Sequence, residues 1–99
     1  MERYTRDERT EQILSAALRV AQAVGLSYMS REKVAHEAGL SDGLVSYIFG
    51  DMNGLLSAVM QRAVNDSILP IVAQGLVLAH PVAQSAPIEL KRAALAELV

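Results

Sequence analysis

The sequence predicts an all-α fold, and three observations carry the prediction. Apolar residues recur every three or four positions, glycines fall where the apolar stretches end, and serines stand just ahead of two short helical segments. Over residues 6–23, Ile13, Leu14, Ala17, Leu18 and Ala21 share one face, and Val24 continues it. Gly25 is expected to end that helix in the left-handed conformation, with residues 26–29 as a short connection. Ser30 then caps a short helix over 31–38; Lys33 stands where a reciprocal capping box would need Glu. Gly39 closes it, and Ser41 caps a third helix running to about Phe49, with Asp42 in the first turn where the helix dipole favours an acid.

Residues 50–53 read as a turn, after which Leu55, Leu56, Val59, Met60, Ala63 and Val64 repeat with helical period. Pro70 either starts a fifth helix or kinks the fourth. The almost wholly apolar run over 71–79 needs a cover, either the rest of the domain or a second subunit. His80-Pro81 ends it. Ser85-Ala86-Pro87 opens a last helix over 88–98, in which Leu90, Ala94 and Leu98 share a face.

Composition narrows the function. A 99-residue chain is one small domain with a modest core, for which association is a usual remedy. With no cysteine there is no disulfide framework, no Cys-ligated zinc and no thiol nucleophile. His36 and His80 lack partners at metal-ligand spacing, so no metal and no cofactor are expected. No carboxylate pair stands in an acid/base setting, which argues against an enzyme. The polar, mixed-charge N-terminus is not a secretory signal, and no apolar run approaches the roughly 20 residues of a membrane span, so a cytoplasmic protein without a membrane partner is expected. The net charge of −2 hides an uneven distribution: residues 1–33 hold six of the nine basic side chains, whereas residues 34–61 hold none.

The segment from Ser30 to Phe49, two short helices about the turn Gly39-Leu40-Ser41, has helix-turn-helix spacing, in which the first helix braces the second and the second enters the DNA major groove. Residues 9–60 resemble the N-terminal DNA-binding domain of the TetR family of bacterial repressors. The resemblance rests on Ile13-Leu14, Ala16-Ala17, Gly25, Ser30, Val34-Ala35, Ala38-Gly39-Leu40-Ser41, Gly43, Tyr47, Phe49 and Leu55-Leu56. It implies a three-helix helix-turn-helix domain whose recognition helix begins at Ser41. Asp42, Gly43 and Leu44 would then approach base edges, with Ser46 and Tyr47 touching bases or phosphates. Ser30 would meet a phosphate at a helix N-terminus, assisted by Arg31 and Lys33. Arg3, Arg6 and Arg9 would reach DNA from an N-terminal arm. Bland readings stand beside these: Ser30 and Ser41 are caps whatever the function, Leu44 reads equally as core, and Tyr47 as a residue packing over the first helix.

Two departures weaken the DNA grip that the resemblance implies. Met52 occupies the place of a phosphate-holding lysine, and the recognition helix has no Lys or Arg for bidentate guanine readout. The chain also ends about 35 residues after the fourth helix, where TetR proteins continue into a ligand-binding domain. The expected organisation is a DNA-binding domain over 1–67 and a short helical dimerisation element over 68–99, with no small-molecule inducer. The expected function is a homodimeric repressor that occludes a double-stranded DNA operator. The alternative is a protein-interaction module or antirepressor that keeps the fold and binds DNA weakly.

Overall fold

Residues 4–98 are described by the computed structural model; Arg3 lies outside them. The helices run in the order α1 (Arg6–Val24), α2 (Arg31–Ala38), α3 (Asp42–Phe49), α4 (Met52–Asn65), α5 (Leu69–Val77), α6 (Pro81–Gln84) and α7 (Ile88–Ala96), with a 3-10 turn at Leu26–Tyr28 after α1. The all-α expectation holds. No single helix among the described residues is long and apolar enough to cross a membrane.

Most of the helix starts lie in short-range chemistry. The Thr5 hydroxyl accepts the Glu8 N–H at 3.1 Å while Glu8 accepts the Thr5 N–H at 3.0 Å, a capping box readable as Thr5-x-x-Glu8. The hydrogen bond from the Thr5 backbone N–H, seconded by the Thr5 hydroxyl, holds the Glu8 carboxyl below its ordinary range. Ser30 caps α2 by accepting the Lys33 N–H, and Ser41 caps α3 by accepting the Leu44 N–H. Asp51 does the same for α4 through the Gly54 N–H at 2.9 Å. The expected four-residue turn over 50–53 is therefore only Gly50-Asp51, because the cap starts α4 at Met52.

Gly25 does stop α1, but at φ 89° and ψ 155°, a positive-φ conformation outside the left-handed helical region expected for it. The extended ψ sends Leu26 toward α5, where its N–H donates to Gln74 Oε1 at 2.7 Å. Ser67, at φ 54°, ends the connection after α4, and Pro70 falls in the first turn of α5, so a new helix starts there and α4 is not kinked. The short α6, capped by His80 Nδ1, was not foreseen.

One apolar core joins all of this. Ile13, Val34, Val45, Leu55, Val59, Met60, Ile71 and Val72 are fully enclosed, each side chain of this size contributing about 1.5–3 kcal/mol by leaving water. Close approach of α5 to α4 and α6 requires Gly75, since a Cβ there would lie 2.8 Å from Met60 Sδ and 2.9 Å from Ala83 Cβ. The first part of the apolar run over 71–79 is covered by its own chain, with Ile71, Val72, Ala73 and Gly75 buried, whereas Val77, Leu78 and Ala79 stay exposed. On the last helix Ala94 is buried and Leu90 packs against the core, whereas Leu98 is 56% exposed. Leu98, Val77, Leu78, Val24 and Tyr28 border an open apolar groove between the C-terminal helices and the end of α1.

Candidate nucleic-acid interface

The helix-turn-helix unit is positioned from both ends. At the turn, Gly39 takes up φ 71°, ψ 32°, and Leu40 N–H reaches back to the Ala35 carbonyl at 2.9 Å, a Schellman closure of α2. Gln12 on α1 donates to the Ala38 carbonyl at 3.2 Å, and Arg19 meets Glu37 at 3.5 Å, so α1 holds α2 in register. Beyond α3, the chain bends by 71° into α4. Gly54 makes that corner possible, because a Cβ at Gly54 would run into the Phe49 carbonyl oxygen.

Across the lower part of the bundle, Arg62 of α4 grips Glu11 of α1 with two hydrogen bonds, 2.8 and 2.5 Å, and lies 3.8 Å from Asp66. Those hydrogen bonds are the main reason that the Glu11 carboxyl is held below, and the Arg62 guanidinium above, its ordinary range.

With its base fixed in this way, α3 buries Val45 and turns Asp42, Gly43 and Tyr47 outward. Gly43 and Tyr47, four apart, form one outward stripe. Tyr47 is 74% exposed, with α1 meeting it only at the rim, through Arg6. Gly43 is not required by packing: a Cβ there would find only Ser41 Oγ, at 4.0 Å. Leu44 is half-buried, between the two roles considered for it, and Ser46 is half-buried on the flank nearer α2.

The nine residues expected to touch DNA fall into two groups. Ser41, Asp42, Gly43, Leu44, Ser46 and Tyr47 belong to α3 and its cap, and Arg31 joins them by donating a short hydrogen bond to Ser46 Oγ. Ser30 and Lys33 lie at the start of α2, where Lys33 Nζ donates to the Tyr28 carbonyl at 2.9 Å and so points toward the 3-10 turn. The expected arginine arm is different in kind. Arg6 and Arg9 are already helical, and Arg9 is engaged by Gln12 Oε1 at 2.9 Å and by the Tyr4 ring at 4.3 Å. Arg6 instead lies over the Tyr47 ring, 5.5 Å from its centre. That contact crosses 41 positions of sequence, and no local pattern announces it. Met52, at the place of the missing lysine, is half-buried against the core as the first residue of α4.

Comparison with known proteins identifies the unit. The family model described as bacterial regulatory proteins, tetR family, matches residues 13–59. Over 61 residues the chain is 41% identical to the HTH-type transcriptional regulator BetI of Burkholderia thailandensis, covering 62% of this chain and 31% of that protein. The proteins of the same name in Burkholderia cenocepacia and Burkholderia ambifaria are 39% identical over the same length and shares. The chain thus spans about a third of the length of the curated relatives it matches. No solved structure gives a significant match. The order of helices and the glycine-bearing turn agree with that match, and residues 13–59 are similar to the helix-turn-helix domain of the tetR family.

Proposed function

We propose that the chain is a DNA-binding transcriptional regulator, a cytoplasmic repressor that acts as a homodimer by occluding its operator. The observation that carries this reading is the outward stripe of α3. A glycine in an exposed helix costs about 1 kcal/mol relative to alanine, and no neighbour among the described residues requires Gly43. Backbone left bare beside an exposed tyrosine suits close approach of a large partner, and the major groove admits a helix at that distance. The relatives named as transcriptional regulators support the same class and speak against an enzyme.

Few polar groups are available for base readout. In this reading Asp42 would accept from a cytosine amino group, and Leu44 would meet a thymine methyl. Residues 68–99 serve, in this reading, as the dimerisation element. Their exposed Val77, Leu78, Leu95 and Leu98 supply apolar surface for a second copy, and a two-fold pair of recognition helices would read a palindrome. No small-molecule inducer is invoked.

Fluorescence anisotropy with DNA from upstream of the chain's own gene, against scrambled DNA of equal length, tests the reading. Preferential binding to the upstream fragment that weakens with salt is the expected result. Equal and weak binding to both favours the antirepressor or protein-interaction reading, for which the observation is the lack of any Lys or Arg in α3.

A further inference from the structure

The recognition helix carries one charged side chain, Asp42, and no cation. A helix lying in the major groove runs between two rows of phosphates, so the positive charge that meets them must come from neighbouring elements. The placement of the basic residues separates the candidates. Arg19 and Arg62 are paired with carboxylates, Arg9 is held by Gln12 and Tyr4, and Lys33 is turned to the Tyr28 carbonyl. Two guanidinium groups lie against α3 itself, Arg31 on Ser46 and Arg6 on Tyr47, and among the described residues neither makes an ion pair. With Gly43 and Tyr47 marking the outward stripe, Arg31 approaches from the α2 side and Arg6 from the α1 side.

We propose that Arg6 is a phosphate contact of the DNA interface and that Tyr47 is the residue that positions it; the proposal rests on the DNA-binding reading above. A cation over an aromatic face is attracted by the ring without needing an acceptor for its N–H groups, so the guanidinium keeps donors to offer a phosphate in bidentate fashion. Tyr47 therefore acts on DNA affinity through a charge that it does not itself carry. The acidic α3 borrows its cation from a helix that begins 36 positions earlier in the chain.

The test is the salt dependence of binding of the full 99-residue chain to a random-sequence duplex, read by anisotropy, for the unchanged protein, Arg6→Gln, Tyr47→Phe, Tyr47→Leu and the double variant Arg6→Gln/Tyr47→Leu. Circular dichroism checks that helicity is equal throughout. Loss of one phosphate contact lowers the slope of log K against log salt by about 0.9, so Arg6→Gln should lose about 3.5-fold less affinity than the unchanged chain between about 50 and about 200 mM salt. Tyr47→Phe keeps the ring and should keep the slope. Tyr47→Leu should lower the slope toward that of Arg6→Gln and do nothing further in the double variant. An unchanged slope in Arg6→Gln overturns the phosphate contact. Independent, additive reductions, or an unchanged slope in Tyr47→Leu, overturn the positioning role. If the unchanged chain binds no duplex even at about 50 mM salt, the DNA-binding reading falls and this proposal with it, a result distinct from the previous ones.

Discussion

The two ends of the molecule build helices by different means. From α1 to α4 every helix begins on a side chain that accepts a backbone N–H, namely Thr5, Ser30, Ser41 and Asp51, and α1, α2 and α3 each stop at a glycine with positive φ. In the C-terminal part, α5 and α7 have no side-chain cap. The chain there turns through positive φ at Ser67 and Ala79, residues with a Cβ, where the following N–H groups of Ile68 and His80 close back on Ala63 and Gly75 at 2.8 Å. Both regions share one apolar core, and the first supplies most of its enclosed side chains, Ile13, Val34, Val45 and Leu55 among them; what sets the first apart is that local caps and glycines fix its helix ends as well. In the second, α5 and α7 rely on burial without such caps, with Ile71, Val72, Gly75 and Ala94 enclosed, and the turns adopt whatever conformation that packing imposes.

The comparison can be broken by exchanging the two kinds of turn. Gly39→Ala places a Cβ at φ 71° with nothing within 4 Å to clash, so only backbone strain is added. The expected cost is about 1–2 kcal/mol in urea unfolding followed by circular dichroism. A neutral result would mean that the turn of the helix-turn-helix is not set locally. The mirror exchange, Ala79→Gly, removes strain at φ 57° on an exposed residue. It should stabilise by about 0.5–1 kcal/mol, the gain being trimmed by the extra freedom of glycine in the unfolded chain. A loss of stability would show that the Ala79 methyl contributes more than its backbone costs.

The smallest effect sharpens the comparison from the side of electrostatics. Glu11, gripped by Arg62, has a carboxyl held below the ordinary Glu range in the folded chain. A depressed folded pKa contributes stability that is present above the unfolded value, about 4.3, and is lost as pH falls through the folded one. Both partners are partly exposed, Glu11 more than Arg62, so solvent screening limits the loss to about 0.5 kcal/mol. Thermal melts of Glu11→Gln and the unchanged chain should converge on acidification below about pH 4. A gap that stays constant down to that pH would assign the effect to packing.

Most of the first four helices was legible in the sequence because caps, glycines and apolar spacing act within four residues. Ser30, Ser41, Gly39 and the limits of α2 and α3 follow from that chemistry alone. Asp51 and the Thr5-x-x-Glu8 box were equally visible as patterns, yet the expected turn over 50–53 passed over the first. The form of the expected arginine arm was illegible for a different reason: Arg6 and Arg9 are helical, and whether Arg6 extends or lies over Tyr47 depends on α3 lying beside α1, which no window of sequence contains.

By itself, then, the sequence determined the helical class, the helix-turn-helix spacing, the caps at Ser30 and Ser41 and the lack of any cation in α3. Those features depend on the helical period and on hydrogen bonds between near neighbours. Tertiary structure alone decided that Gln74 would capture Leu26, that Gly75 would seat Met60, that the first part of the apolar run over 71–79 would be covered by its own chain while its end stayed exposed, and that Arg6 would come to rest on Tyr47. Each of these joins residues tens of positions apart, and such contacts form only once burial has already paid the entropy of closing the loops between them.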